Sequence, residues 1–422
     1  MPLVARLQFG TAMIRTCSFR WGSGGSRLLV LAAAASSLLP GQSLMPGGMF
    51  RLFTSDAAIL ESDEARKDLP CTVTPIKPVL GFDLRFHSGY TVSIPLRELA
   101  GDGNQLTMIF RIVPEGQTDE PVLLSQRMSV PNIEEDAKGD ATLQGTFDMG
   151  EGKYHVDWLM RDRSEHVCSS NWDIQAALPT KDRDMSLNIG PNVIEAAETE
   201  PFKEEPPVDR APQGSPLNVK VMVNFGPQNA YSAALQPIDT NALVSILRNV
   251  AREPRIGKFS VVAFNMQEQR IIYRQDASAQ IDFPALGEAL HSVSLGTVDF
   301  KRLGQKHADS EFLTNLITHE MKDASETPDA VIIAGPKVML DDSLPQEPLK
   351  QIADVNFPVF YMNYNVNPQA VPWRDAIGVA VKHLKGAEFT ISRPRDLFFV
   401  WTEIMGRIVK LKFSRTASAV TP

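Results

Sequence analysis

The hydrophobic rhythm of this chain changes once, and that change confines it to two unlike domains. Before residue 180 the segments "YTVSIPL", "QLTMIFRIV", "PVLLSQRMSV", "ATLQGTFDM", "GKYHVDWLMRD" and "HVCSSNWDIQAAL" alternate apolar and polar residues. Period two is the signature of strands that bury one face. "AGDGN", "PEGQTDEP" and "MGEG" supply the turns between them, and no helical stretch of useful length intervenes. After residue 216 apolar runs such as "NVKVMVNF", "KFSVVAFN", "DAVIIAG" and "FPVFYMNYN" alternate with amphipathic segments such as "NALVSILRNVAR", "SEFLTNLITHEMKDA" and "WRDAIGVAVKHLKG". Doubly buried strands alternating with helices imply a mostly parallel sheet covered on both faces.

The expected organisation is therefore an antiparallel β-sandwich over 70–180, Ig-like in architecture, with about six to eight strands, and an α/β domain over 217–413. "RIIYRQ", following "KFSVVAFN" directly, is expected to be the one antiparallel partner in the second sheet. Trp158 and Trp172 read as strand residues of the sandwich core. Between the domains, 181–216 is expected to be an extended linker. Its run "AETEPFKEEPPVDRAPQGSP" holds five prolines and one large apolar residue, Phe202, which is too little to bury a core. Residues 44–69 read as a flexible lead-in and 414–422 as a tail.

The first 43 residues have a different chemistry. Their only charges are Arg6, Arg15, Arg20 and Arg27, ahead of the apolar run "LLVLAAAASSLL" and the small-residue ending "GQS". That is the pattern of a secretory signal peptide, and the run is too short for a bilayer span, which needs about 20 residues. Loss of that segment takes four of the 42 basic residues and none of the 50 acidic ones, so the net charge of −8 becomes −12. Such a balance excludes non-specific nucleic-acid binding, which needs a basic surface. No later stretch reads as a membrane span. Export leaves two cysteines, Cys71 and Cys168, and in an oxidising compartment these can pair; two separately buried thiols are the alternative.

From 217 to about 411 the order of elements resembles the von Willebrand factor type A (vWA) domain. The most specific part is "LKGAEFTISRPRDLFFVWTEI", where that family has a helix, a small glycine-containing turn, a short strand and "DL" opening the last helix. The resemblance implies a metal-ion-dependent adhesion site that begins with Asp-x-Ser-x-Ser at the end of the first strand. One carboxylate and two hydroxyls there, with a threonine and an aspartate from later loops, suit a hard cation. This chain has Asn224, Gly226 and Gln228 at those three places, and Ala334, Gly335 and Pro336 where an aspartate is common. Thr297, Asp309 and Ser310 are the nearest substitutes for the later ligands. The site reads as degenerate, so no metal ligand is carried over.

Other chemistry is not visible. "NFGPQN" lacks the glycine spacing of phosphate loops, "THEM" lacks the second histidine of a zinc-protease helix, and no Gly-x-Ser-x-Gly elbow occurs. His87, His155, His166, His291, His307, His319 and His383 form no sequence cluster. No catalytic residue, cofactor or metal is expected. The expectation is a non-enzymatic, exported protein, periplasmic or extracellular, that binds a protein partner in a bacterial envelope through the loop carrying Asn224, Gln228, Asn229 and Tyr231. Asn224 is the residue of that set expected to be a buried structural amide instead. An extracytoplasmic hydrolase with its site at the carboxyl ends of the strands, and a structural subunit of an envelope assembly, are the alternatives.

Overall fold

The period-two segments form strands and the later segments form a strand–helix alternation in the computed structural model. It describes residues 4–8, 43–44 and 52–420, apart from 63, 102, 118–119, 199, 211–215, 230–231, 294, 296–306 and 323–326. Two compact units result, Met1–Thr199 and Glu200–Pro422.

The first unit contains β1 (Val4–Gln8), β2 (Ser43–Leu44), α1 (Thr54–Glu61), β3 (Thr72–Leu80), β4 (Phe86–Pro95), β5 (Gln105–Pro114), β6 (Val122–Ser129), β7 (Asp140–Met149), β8 (Gly152–Arg161), β9 (Val167–Ala176) and β10 (Ile194–Ala196). One sheet has the order β1-β7-β4-β3 with β10 also on β7; the other runs β2-β6-β5-β8-β9. All these pairings are antiparallel except β1 with β7. The inward residues of both sheets meet in an aromatic core. Tyr90 lies 4.8 Å from Trp158 and 5.3 Å from Phe110 between ring centroids, and Phe110 lies 5.8 Å from Phe147. Trp158 is fully buried there, and Trp172 is nearly so.

Two features of this unit differ from the sequence expectation. "TVTPIKPVL" forms β3 although it holds Pro75 and Pro78. It lies at a sheet edge with a register shift between Ile76 and Val79, where missing N–H donors are tolerated. The expected loose lead-in contains α1, because Ile59 and Leu60 cover Ile109, Leu159 and Val167 on the outer face of the second sheet. The expected leader over 1–43 lies outside the described residues except for the backbones of β1 and β2. Cys71 and Cys168 are bonded, with Cα atoms 6.3 Å apart.

The expected extended linker is divided between the two units. Residues 194–196 pair with β7, and 200–210 lie along the second unit. Phe202 fits against Gly287, where a Cβ would approach it to 2.6 Å, and its ring is 6.5 Å from that of Phe225. Glu205 is held by Arg248 at 2.8 Å and Arg252 at 2.7 Å. Arg210 donates to the carbonyls of Glu253 and Ala279, both at 3.0 Å. The composition holds too little apolar surface for a core of its own, but three side chains suffice to strap the segment to a core already formed.

The second unit contains β11 (Leu217–Asn224), α2 (Pro237–Ala251), β12 (Ile256–Asn265), β13 (Arg270–Ser278), α3 (Phe283–Leu290), α4 (Ala308–Lys322), β14 (Ala330–Pro336), α5 (Gln346–Lys350), β15 (Val359–Tyr364), α6 (Ala376–His383), β16 (Ala387–Ile391) and α7 (Pro394–Val420). The order is β13-β12-β11-β14-β15-β16. Every pairing is parallel except β12 with β13, as "RIIYRQ" predicts. Met222, Phe264, Ile333 and Tyr361 build the core with residues of α4, α5 and α6 on one face. Leu243, Ile246 and Leu247 of α2 and Leu397, Ile404 and Ile408 of α7 are buried outside that cluster. The expected tail is helical as far as Val420. Asp282 and Asp375 start α3 and α6 by accepting from the N–H three residues on, at 2.9 Å in both.

Candidate functional site

The strand order reverses between β11 and β14, and an open α/β sheet binds ligands at the carboxyl ends of its strands beside such a reversal. Neutral carboxamides occupy those ends here. Asn224, 2% exposed, accepts from Met266 N at 3.2 Å. Asn265 ends β12, donates to Phe225 O at 2.6 Å and accepts from Glu268 N at 2.7 Å. Asn363 donates to Glu388 and Thr390 of β16. Gly335 has φ +152°, and a Cβ there would come within 2.7 Å of Asn224 Cβ, so β14 closes tightly on the amide. An amide both donates and accepts without charge, which suits it to tying loops.

Gln228 is the main tie. Its Nε2 donates to Asp239 Oδ1 at 3.0 Å, and its Oε1 accepts from Val366 N at 2.9 Å. It thereby joins the loop after β11 to the first turn of α2 and to the loop after β15. Burial pushes the Asp239 carboxyl above its usual range, against hydrogen bonds from Gln228 that draw it down. Burial, reinforced by the Asp239 charge, raises the Tyr364 phenol. A second tie is Lys337, which donates to Val371 O at 2.8 Å and Trp373 O at 2.7 Å. Asp375 accepts from Val338 N at 2.8 Å and from Tyr361 OH at 2.9 Å; burial raises its carboxyl despite these donors.

The loop named by the sequence is thus brought together only in part. Asn224 and Gln228 are structural ties, Asn229 is exposed, and Tyr231 lies outside the described residues. Of the substitutes for later metal ligands, Thr297 lies outside the described residues, Asp309 accepts from Gln269, and the Ser310 hydroxyl caps His307 O. Sequence reasoning missed Lys337, Asn265 and Asn363; an asparagine closing or nearly closing each of three apolar strands is the signal that could have found them.

Elsewhere, among the described residues, one His/carboxylate group has metal-like spacing: Asp83, His87 and Asp148 of the first unit. It clusters a histidine that the sequence placed in none. His87 Nδ1 is 2.7 Å from Asp148 and Nε2 is 3.0 Å from Asp83, so both ring nitrogens face carboxylates. Burial alone would lower its pKa; the hydrogen bonds that the ring donates to Asp148 and Asp83, and the charges of those carboxylates, outweigh this and raise it to about 10. The ring is therefore an imidazolium, with Arg85 beside Asp148 at 3.5 Å. With the imidazole protonated, the group is an ion network in which both ring nitrogens are engaged by carboxylates. A cleft of about 310 Å³ in the same unit, lined by Phe53, Asp56, Arg127, Arg161 and Arg163, also pairs charges internally: Arg161 is 3.3 Å from Asp56 and lies over the Phe53 ring.

No family model and no curated protein matches the chain. Among solved structures it is similar to the PilB minor pilin from Streptococcus sanguinis at 7% identity and a TM-score of 0.27, over 74% of this chain and 88% of that one. A carbohydrate esterase is similar at 10% identity and a TM-score of 0.21, over 81% and 98%.

Proposed function

We propose that this chain is an exported, non-enzymatic protein-binding or scaffolding protein of a bacterial envelope, whose second unit is a vWA-like domain working without a metal. The single observation that carries this is the Gln228 tie. Where the resemblance calls for a serine ligand, a neutral amide bonds Asp239 on one side and the Val366 backbone on the other. The edge is braced as a protein surface would be, and the described residues at the three positions, Asn224, Gly226 and Gln228, offer no carboxylate or hydroxyl oxygen. The order of elements and the single antiparallel edge strand, β13, support the vWA-like reading; the two facing antiparallel sheets support the Ig-like one. The Cys71–Cys168 bond supports an oxidising compartment. No helix among the described residues is long and apolar enough to cross a membrane.

Calorimetric titration with Mg²⁺ and Mn²⁺ tests the proposal. The expected outcome is no binding and no rise in Tm; micromolar binding at the loop after β11 would overturn it.

A further inference from the structure

Helix α1 leaves part of the outer face of the sheet β2-β6-β5-β8-β9 open. Its Ile59 and Leu60 cover Ile109, and the cleft of about 310 Å³ lies beside its first turn. Thr107 of β5 pairs with Arg127 of β6 on one side and with Arg161 of β8 on the other. Directly opposed residues share a sheet face, about 5 Å apart. The Thr107 hydroxyl therefore stands between two arginine side chains, and all three residues line the cleft. Arg163, just past the end of β8, lines it too.

Arg161 is held without using its donors. Its side chain is 16% exposed, 3.3 Å from Asp56 Oδ1 and over the Phe53 ring at 4.6 Å. Asp56 Oδ1 receives no hydrogen bond, and among the described residues no N–H group of Arg161 donates one. The contact is one of charge. A guanidinium so far out of water carries five donors, and buried donors ordinarily meet acceptors. Its planar fork matches a carboxylate or a phosphate group.

The acids beside the cleft are largely committed. Asp56, 1% exposed, is set against Arg161, and Asp162 accepts from His166 N at 2.8 Å. Glu165, exposed, is left to oppose an anion. The volume sits at the lower end of small-molecule sites, about 300–1,000 Å³, and a bare ion would leave most of it unfilled. Phe53, 62% exposed, and Leu52 supply apolar surface for the remainder. We infer that this cleft binds a small organic anion, its carboxylate or phosphate group seated at Thr107 between Arg127 and Arg161, and its apolar body against Phe53. The site belongs to the first unit and stands apart from the reading of the second.

Isothermal titration calorimetry on the full disulfide-bonded chain at low salt tests it, with benzoate and phenyl phosphate as probes, benzyl alcohol as the neutral counterpart and inorganic phosphate as the bare ion. At least one of the two organic anions should bind one to one, at least ~10-fold tighter than benzyl alcohol or inorganic phosphate, and more weakly as NaCl is added. The tighter of the two tells a carboxylate ligand from a phosphate one. Arg127→Gln should weaken binding at least ~10-fold, as should Arg161→Lys, which keeps the charge beside Asp56 and removes the fork. Glu165→Gln should tighten it about 2-fold by removing a like charge. Arg127 and Glu165 are exposed, so their variants keep the fold even where Arg161→Lys disturbs it. Failure of both organic anions to bind, equal affinity for benzyl alcohol or inorganic phosphate, indifference to Arg127→Gln, or weaker binding in Glu165→Gln would overturn the inference.

Discussion

Gln228 Oε1 accepts the backbone N–H of Val366 at 2.9 Å, so one uncharged side chain connects the ends of β11 and β15 across the end of β14. The same amide satisfies Asp239, whose side chain has little access to water. Gln228→Ala therefore removes a strut and leaves a buried carboxylate short of a donor. A loss of about 1–3 kcal/mol is expected, with faster hydrogen exchange at Val366 N. Unchanged exchange there would show that the strut is dispensable.

Asp375 combines two roles: it caps α6 through Gly378 N and accepts from Val338 N and Tyr361 OH. Asp375→Ala should cost about 3 kcal/mol or more by adding a lost cap to unsatisfied buried donors. Denaturant unfolding of the second unit would measure it. Asp375→Asn, which keeps one acceptor oxygen, should lose less.

His87 makes the first unit sensitive to alkali. Its folded pKa is raised to about 10 by the paired carboxylates. Its stabilisation is therefore fully present below the ordinary histidine value near 6.5, and is lost as pH rises through the folded value. Tm of the first unit should fall between about pH 6.5 and 10, and His87→Gln should flatten that fall. Asp83 titrates in the opposite sense: His87 holds its carboxyl low against burial, so its contribution is lost in acid.

The strap over 200–210 predicts where the second unit begins. A fragment starting at residue 200 should be more stable than one starting at 217, by about 2 kcal/mol or more, because the latter leaves Arg248 and Arg252 without Glu205. Equal unfolding midpoints would show that the strap contributes nothing. Limited proteolysis should accordingly cut ahead of the strap and leave a fragment that retains Glu205.

The Cys71–Cys168 bond closes a loop between residues 97 apart. Non-reduced peptide mapping should find the linked pair. Reduction should destabilise the first unit by about 4 kcal/mol in the chain-entropy model, and two free thiols would contradict the assignment.

The architecture of both units was legible because periodicity is local. Alternation in "QLTMIFRIV" and continuous burial in "NVKVMVNF" state which faces are covered without reference to any distant residue. Residue type alone also placed uncharged Asn224, Gly226 and Gln228 on the loop after the first strand of the second unit. β3 was hidden by its prolines, α1 by its shortness, and the strap by a composition that resembles a spacer; each became ordered only because a partner surface already existed. Val366 lies 138 residues from Gln228, and Val371 and Trp373 lie 34 and 36 residues from Lys337, so no local pattern encodes these ties. His87 likewise gained its charge from Asp148, 61 residues on. The sequence by itself determined the two sheet types and the change of domain, since these follow from residue type and spacing. Tertiary structure decided which amides became struts and which apolar side chains stayed in water, because both depend on what the folded backbone brings alongside.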